Sequence, residues 1–166
     1  MGPKDVTLLA AALAQVGYSD REGLHRLAAQ AQWVSGEMTA QGISLTLNSF
    51  ARMSYTDEEL LNHMADHCIT ILRTFTYQNL ANTANAFARA SCRHRPLFEA
   101  LAREIPLRRV SGFSPQHLAM ICNAYARVKV LDDALFSALR PAIVGRVHDL
   151  NSQDLANITN ALVRLQ

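Results

Sequence analysis

The chain has 166 residues, 49% of them apolar, which suffices for one domain or a short repeat array. No apolar run approaches the roughly 20 residues that a membrane span needs, and a formal charge of only +2 excludes a globally basic nucleic-acid binder. Two of the 16 basic residues are lysines, Lys4 and Lys129; the other 14 are arginines. Arginine binds phosphate bidentately and stacks on bases, although a proteome with GC-rich codons gives the same excess.

The first helix is predicted over 3–16, with Gly2 at the cap and Pro3 at the first helical position, where a missing amide costs nothing. Gly17-Tyr18-Ser19 turns the chain. A second helix follows over 20–34 with Leu24, Leu27, Ala28 and Ala31 inward, broken by Ser35-Gly36. The next pair begins with a helix over 40–53. Thr56 is then predicted to cap its partner, with Glu59 at capping-box spacing and an apolar stripe from Leu60 to Leu72. A third pair has a helix over 77–90, a basic loop from Ser91 to Arg95, and a second helix opened by Pro96. Pro106 is expected to end or kink that helix. The fourth pair is predicted over 115–128 and 132–147, kinked near Pro141, and a last helix over 152–165 has no partner.

These pairs are copies of one unit. Phe75 to Arg89 returns as Phe113 to Arg127 and as Leu150 to Arg164, with an earlier copy from Met38 to Arg52. Thr39, Thr76, Ser114 and Asn151 occupy one position, and each is a good N-cap. An apolar residue precedes each cap (Met38, Phe75, Phe113, Leu150) and another follows five residues after it (Ile43, Leu80, Leu118, Leu155), which is hydrophobic-staple spacing. A fixed period of this length means stacked helical hairpins. The expected fold is all-α: a right-handed α-solenoid of four hairpins of about 37–38 residues plus one terminal helix. The repeats are 1–37, 38–74, 75–112 and 113–149, with a half repeat over 150–166.

The residues Gln78-Asn79-Leu80-Ala81-Asn82 through Asn85-Ala86-Phe87-Ala88-Arg89, with their copies at 116–127 and 153–164, resemble organellar helical-hairpin repeat proteins. These are the heptatricopeptide and octotricopeptide repeat class and the related arrays of RAP-domain FAST-kinase-like proteins. The resemblance covers nearly the whole chain. The Pro-Pro-Pro-Glu-Trp signature of algal octotricopeptide repeats is absent, and no RAP domain is present. The resemblance implies RNA binding in mitochondria or plastids, in RNA-processing factors or ribosomal proteins, and no cofactor.

On a helical wheel, Gln78, Asn82, Asn85 and Arg89 fall on one side of their helix, opposite Leu80, Ala84, Phe87 and Ala88. The stripe recurs as Gln116, Met120, Asn123, Arg127, as Gln153, Asn157, Asn160, Arg164, and as Gln41, Leu45, Asn48, Arg52. Stacking would set these side by side as ladders of Gln, Asn and Arg. One reading is a groove for single-stranded RNA, with arginines on phosphates or bases and amides on base edges. The other makes the Asn ladder structural, each amide bonding the backbone of an adjacent helix. The first repeat departs, with Ala11 and Gln15 in the Asn and Arg places, and the groove is expected to weaken there. Arg93 and Arg95 lie in a second basic stretch, where 89–110 holds six arginines against two glutamates; it is a phosphate site or a solvated loop.

His63 and His67 stand at i and i+4 beside Cys68, a spacing that can bind zinc, but without the H-E-x-x-H order or a distant third ligand. No metal is expected. No nucleophile, Gly-rich phosphate loop or convergent polar pocket accompanies Asp66, so no enzyme activity is expected. Cys68, Cys92 and Cys122 read as small buried residues in helices, and Trp33 as a packing residue. The function expected is a non-catalytic RNA-binding module of an organellar ribonucleoprotein, with a mitochondrial ribosome subunit contacting rRNA as one form of it. The alternative is a protein–protein scaffold of a larger organellar complex. The expected partners are RNA and neighbouring protein chains, the latter at the C-terminal end, where Leu155, Ile158 and Leu162 have nothing following. No membrane contact and no presequence is visible.

Overall fold

The computed structural model describes residues 1–164. Nine α-helices and no strand occur among the described residues. They are α1 (Pro3–Gln15), α2 (Arg21–Val34), α3 (Ala40–Arg52), α4 (Glu58–Ile71), α5 (Tyr77–Arg89), α6 (Arg95–Leu107), α7 (Pro115–Val128), α8 (Asp133–Val144) and α9 (Ser152–Arg164). Each odd helix pairs with the even helix after it, through α7 and α8. The odd helices also pack against one another in chain order from α1 to α9, and the even ones from α2 to α8. The core lies between these two rows.

Alanine explains the close approach of the odd helices. Ala81, Ala84, Ala86 and Ala88 of α5, and Ala119, Ala124 and Ala126 of α7, are all buried. They let backbones come near at no cost in side-chain entropy. The large side chains fill the layer between the rows. Phe75, Phe87, Phe98, Phe113 and Tyr125 are fully buried. The Phe98 and Tyr125 rings meet edge to face at 5.2 Å, and the buried Tyr125 hydroxyl donates to the Phe98 carbonyl at 2.7 Å. Gly112 has no Cβ because the Tyr77 ring occupies that space.

The caps follow the repeat. Thr39, Thr76, Ser114 and Asn151 each accept from the backbone amide three residues on. The even helices are capped by Asp20, Asp57, His94 and Asp132. Asp57 therefore replaces Thr56 as the cap of α4; a carboxylate also interacts well with the helix dipole there. The α6 cap is the imidazole of His94, and Pro96 is the second residue of the helix rather than its start. Helix α6 continues to Leu107, one residue beyond Pro106, and α8 ends at Val144 rather than 147.

Each odd helix through α7 ends the same way. Gly17, Ser54, Ser91 and Lys129 are left-handed, with φ of 69, 53, 56 and 56°. The amide of the next residue reaches back to Leu13, Phe50, Phe87 and Tyr125. This is the Schellman arrangement, and in three of the four hairpins it is made without glycine.

A second regularity closes the hairpins. The carbonyl before each odd helix's cap accepts a bond from the even helix of the same hairpin or the turn after it: Met1 from Gln30 at 3.0 Å, Met38 from His67 at 2.9 Å, Phe75 from Arg108 at 3.0 Å, and Phe113 from Arg146. A carbonyl only accepts, so Nε2 of His67 carries the proton. Arg108 reaches further, to the Leu72 and Arg73 carbonyls of the preceding turn, and pairs with Glu104 at 2.6 Å. Arg108 is therefore occupied within the fold rather than available to phosphate.

Trp33 is 85% exposed, so it is not a packing residue. Cys68 and Cys122 are buried, and burial pushes the Cys122 thiol up to about 12. Cys92 departs from the expectation: it lies half-buried in the loop after α5. On α9, Leu155 is exposed as expected, but Ile158 is buried. The Leu162 side chain lies outside the described residues. Among the described residues, no helix is long and apolar enough to cross a membrane.

His117 gives a pH-dependent element. Its Nδ1 accepts from the Ser114 amide, closing the capping box of α7, and burial lowers its pKa. The unfolded side chain titrates near 6.5. Stability from this group is thus complete above about pH 6.5 and is lost as pH falls toward the depressed folded value. Asn79 fills the same place in α5 and does not titrate. His117→Asn is expected to keep the cap and flatten the fall in stability as pH drops below about 6.5. Urea midpoints of both proteins across that range check this. Parallel profiles would show that the cap is insensitive to the proton.

Candidate nucleic-acid interface

The stripes of the odd helices are brought side by side by the packing of α3 on α5, α5 on α7, and α7 on α9. Gln41, Gln78, Gln116 and Gln153 are exposed. Asn48, Asn85 and Asn123 are half-buried and Asn160 is exposed. Arg52, Arg89 and Arg127 are exposed at the C-terminal ends of their helices; the Arg164 side chain lies outside the described residues. The second place in the stripe is Leu45, Asn82, Met120 and Asn157, all half-buried.

The buried faces opposite explain this placement. Leu80, Ala84, Phe87 and Ala88 are shut in the core. A helix with that face inward must turn Gln78, Asn85 and Arg89 outward.

The amides divide differently from the structural reading of the Asn ladder. Among the described residues, Asn48, Asn85 and Asn123 bond no neighbouring backbone. The amide that crosses between helices is Asn79, whose Nδ2 donates to the Ser44 hydroxyl at 2.8 Å in a buried contact. The side-chain donors and acceptors of Asn48, Asn85 and Asn123 are thus unused among the described residues. Gln153 donates to Asn157 one turn on at 3.3 Å.

The arginines are not equivalent. Arg89 Nη2 donates to the Ala51 carbonyl of α3 at 3.2 Å, so part of its role is to tie two helices together. Arg52 and Arg127 make no ion pair or hydrogen bond among the described residues. Arg127 and Asn123 border a polar cleft of about 370 Å³ whose other side is Ala88 and Ser91. In the basic loop, Arg93 donates to the Lys129 carbonyl at 3.0 Å and Arg95 pairs with Glu99 at 2.7 Å. Each leaves most of its five N–H donors unused. Arg103 and Arg109 are exposed.

Sequence reasoning passed over Lys129 and Ser91, which border the arginines at the turns. No residue type marks that turn position, which holds Gly17, Ser54, Ser91 and Lys129 in the four hairpins. His63 and His67 are engaged elsewhere, His63 Nδ1 with the Glu59 carbonyl at 2.9 Å and His67 with Met38.

The family model of the RNA-editing substrate-binding complex 6 protein matches residues 3–110, the first three hairpins. The chain belongs to this family. The family match takes in Arg52, Arg89, Arg93 and Arg95, while Asn123 and Arg127 lie beyond it. It is to this family, and not to the heptatricopeptide or octotricopeptide repeats, that the chain was matched. No curated protein matches the chain.

Proposed function

We propose that this protein is a non-catalytic RNA-binding module of a mitochondrial RNA-editing complex. The observation that carries the reading is the set of arginine, asparagine and glutamine rows side by side on one face of the odd helices. Family membership supports it, because the family's description names an RNA-editing substrate-binding complex. That description speaks of an editing complex and lends no support to a ribosomal role. In this reading the hairpins form a right-handed solenoid, the odd helices line one wall, and the resemblance to organellar hairpin repeats reflects that shared architecture. Guanidinium groups meet phosphates while the free amides of Asn48, Asn85 and Asn123 meet base edges.

The test is binding of labelled single-stranded RNA across a salt series, for the wild type and an Arg52→Ala/Arg89→Ala/Arg127→Ala variant. Every phosphate that loses its arginine is expected to flatten the log–log salt slope by about 0.7. Affinity and slope unchanged in the triple variant would remove RNA from this face.

A second reading, a protein–protein scaffold, is favoured by one observation. The same face ends in an apolar cleft of about 450 Å³ between α1 and α3, where Leu8 and Leu45 stand in the stripe. In that case the triple arginine variant would leave capture of the protein partner intact.

A further inference from the structure

Two basic features that are separate in the sequence meet in space. The cleft between α5 and α7 is bounded by Ala88, Ser91, Asn123 and Arg127. A neighbouring cleft of about 560 Å³ has Ser91, Arg93, His94 and Arg95 on one wall and Thr56 and Glu58 opposite. Ser91 belongs to both. It is exposed and left-handed at the end of α5, so the two clefts adjoin there.

We infer that these clefts are one phosphodiester track, carrying single-stranded RNA from Asn123 and Arg127 over the edge of the array at Ser91 to Arg93 and Arg95. The inference rests on the RNA-binding reading above and gives that site a direction. On the rows alone, a strand would run from helix to helix along Arg52, Arg89 and Arg127. The structure favours the turn at Ser91 for two reasons. Arg93 is braced by the Lys129 carbonyl, so its guanidinium is held between the third and fourth hairpins rather than free to wander. Lys129, whose carbonyl takes that bond, is itself exposed and brings a further cation to the same turn.

The local charge is balanced rather than overwhelming. Glu99 pairs with Arg95, Asp66 lies 3.6 Å from His94, Asp132 caps α8, and Glu58 faces the second cleft. The track therefore works by placed contacts. Planar forks suit phosphate oxygens, and the unbonded Asn123 amide offers a base edge both a donor and an acceptor. An acidic peptide would find the same cations, so its binding in place of RNA is one of the outcomes tested below.

The test is anisotropy of a labelled oligouridine across a potassium chloride series, with thermal melts alongside. The variants are Arg127→Ala, Arg93→Ala/Arg95→Ala, Lys129→Ala, Ser91→Glu and the row control Arg52→Ala. Arg127→Ala and the Arg93/Arg95 pair are each expected to weaken binding roughly three- to tenfold, with the slope lower by about 0.7 for every phosphate left without its cation. Lys129→Ala is expected to weaken binding about two- to threefold, as one cation of the track is removed. Ser91→Glu sets a carboxylate in the track and is expected to cost at least as much as Arg127→Ala. Arg52→Ala, on the row but away from the turn at Ser91, is expected to weaken binding less than Arg127→Ala. Arg95→Ala alone carries the test if the pair melts early, because Glu99 is its partner on the same helix. Wild-type binding that Arg52→Ala weakens as much as Arg127→Ala, while Arg95→Ala and Ser91→Glu leave it unchanged, would overturn the turn at Ser91 and keep RNA on the rows. A wild type that binds no RNA, or binds acidic peptide in its place, would overturn both readings.

Discussion

Phe87→Ala is expected to lower stability by about 3–5 kcal/mol. Phe87 is fully buried on α5, the helix that packs against α3, α6 and α7. Its neighbours on α5 include Ala84, Ala86 and Ala88. Alanines have no longer rotamer to swing into the space, and the helix backbones are already close, so collapse around the cavity is limited. The loss falls in the middle of the array, where each hairpin depends on its neighbours. Urea denaturation followed by circular dichroism measures it. A loss below about 1 kcal/mol would mean that the central layer is plastic.

The second large effect is at Arg108. Its side chain is 23% exposed and that of Glu104 13%. Arg108→Ala leaves the Glu104 carboxylate without its partner and removes donors from the carbonyls of Leu72, Arg73 and Phe75. We expect a loss of about 2–4 kcal/mol, below a fully buried pair because water reaches part of the site. Glu104→Ala on top of Arg108→Ala is expected to recover part of it, since the stranded charge goes too. A double-mutant cycle on urea midpoints resolves the coupling. Strict additivity would show that the carbonyls, and not the ion pair, hold Arg108 in place.

The two predictions mark where the sequence was readable. Phe87 could be placed in the core from its spacing to Leu80 and Ala84, and the helix pairs followed from the period. Caps of ordinary chemistry, Thr39, Thr76 and Ser114, were equally plain. His94 was not, because imidazole is an uncommon cap and Pro96 beside it gives the louder signal. Arg108 sat in a run of arginines from Arg89 to Arg109, all alike on paper. What separates it from Arg103 is a set of carbonyls more than thirty residues away, and no local pattern encodes those. The asparagines show the same limit. Asn79 and Asn85 lie six residues apart on one helix, yet only Asn79 meets a neighbour, because Ser44 stands opposite it.

The closing bonds differ in strength along the chain. The first two hairpins are shut by Gln30 and His67 on a single carbonyl each, the last two by guanidinium groups that also grip the turn before them. More closing bonds in the later hairpins are expected to make the array softer at its first half and stiffer at its second. Arg93, Arg127 and Lys129 ride on the stiff half. On the proposed track, a strand landing there would meet a surface already set, so little ordering entropy would be lost on binding.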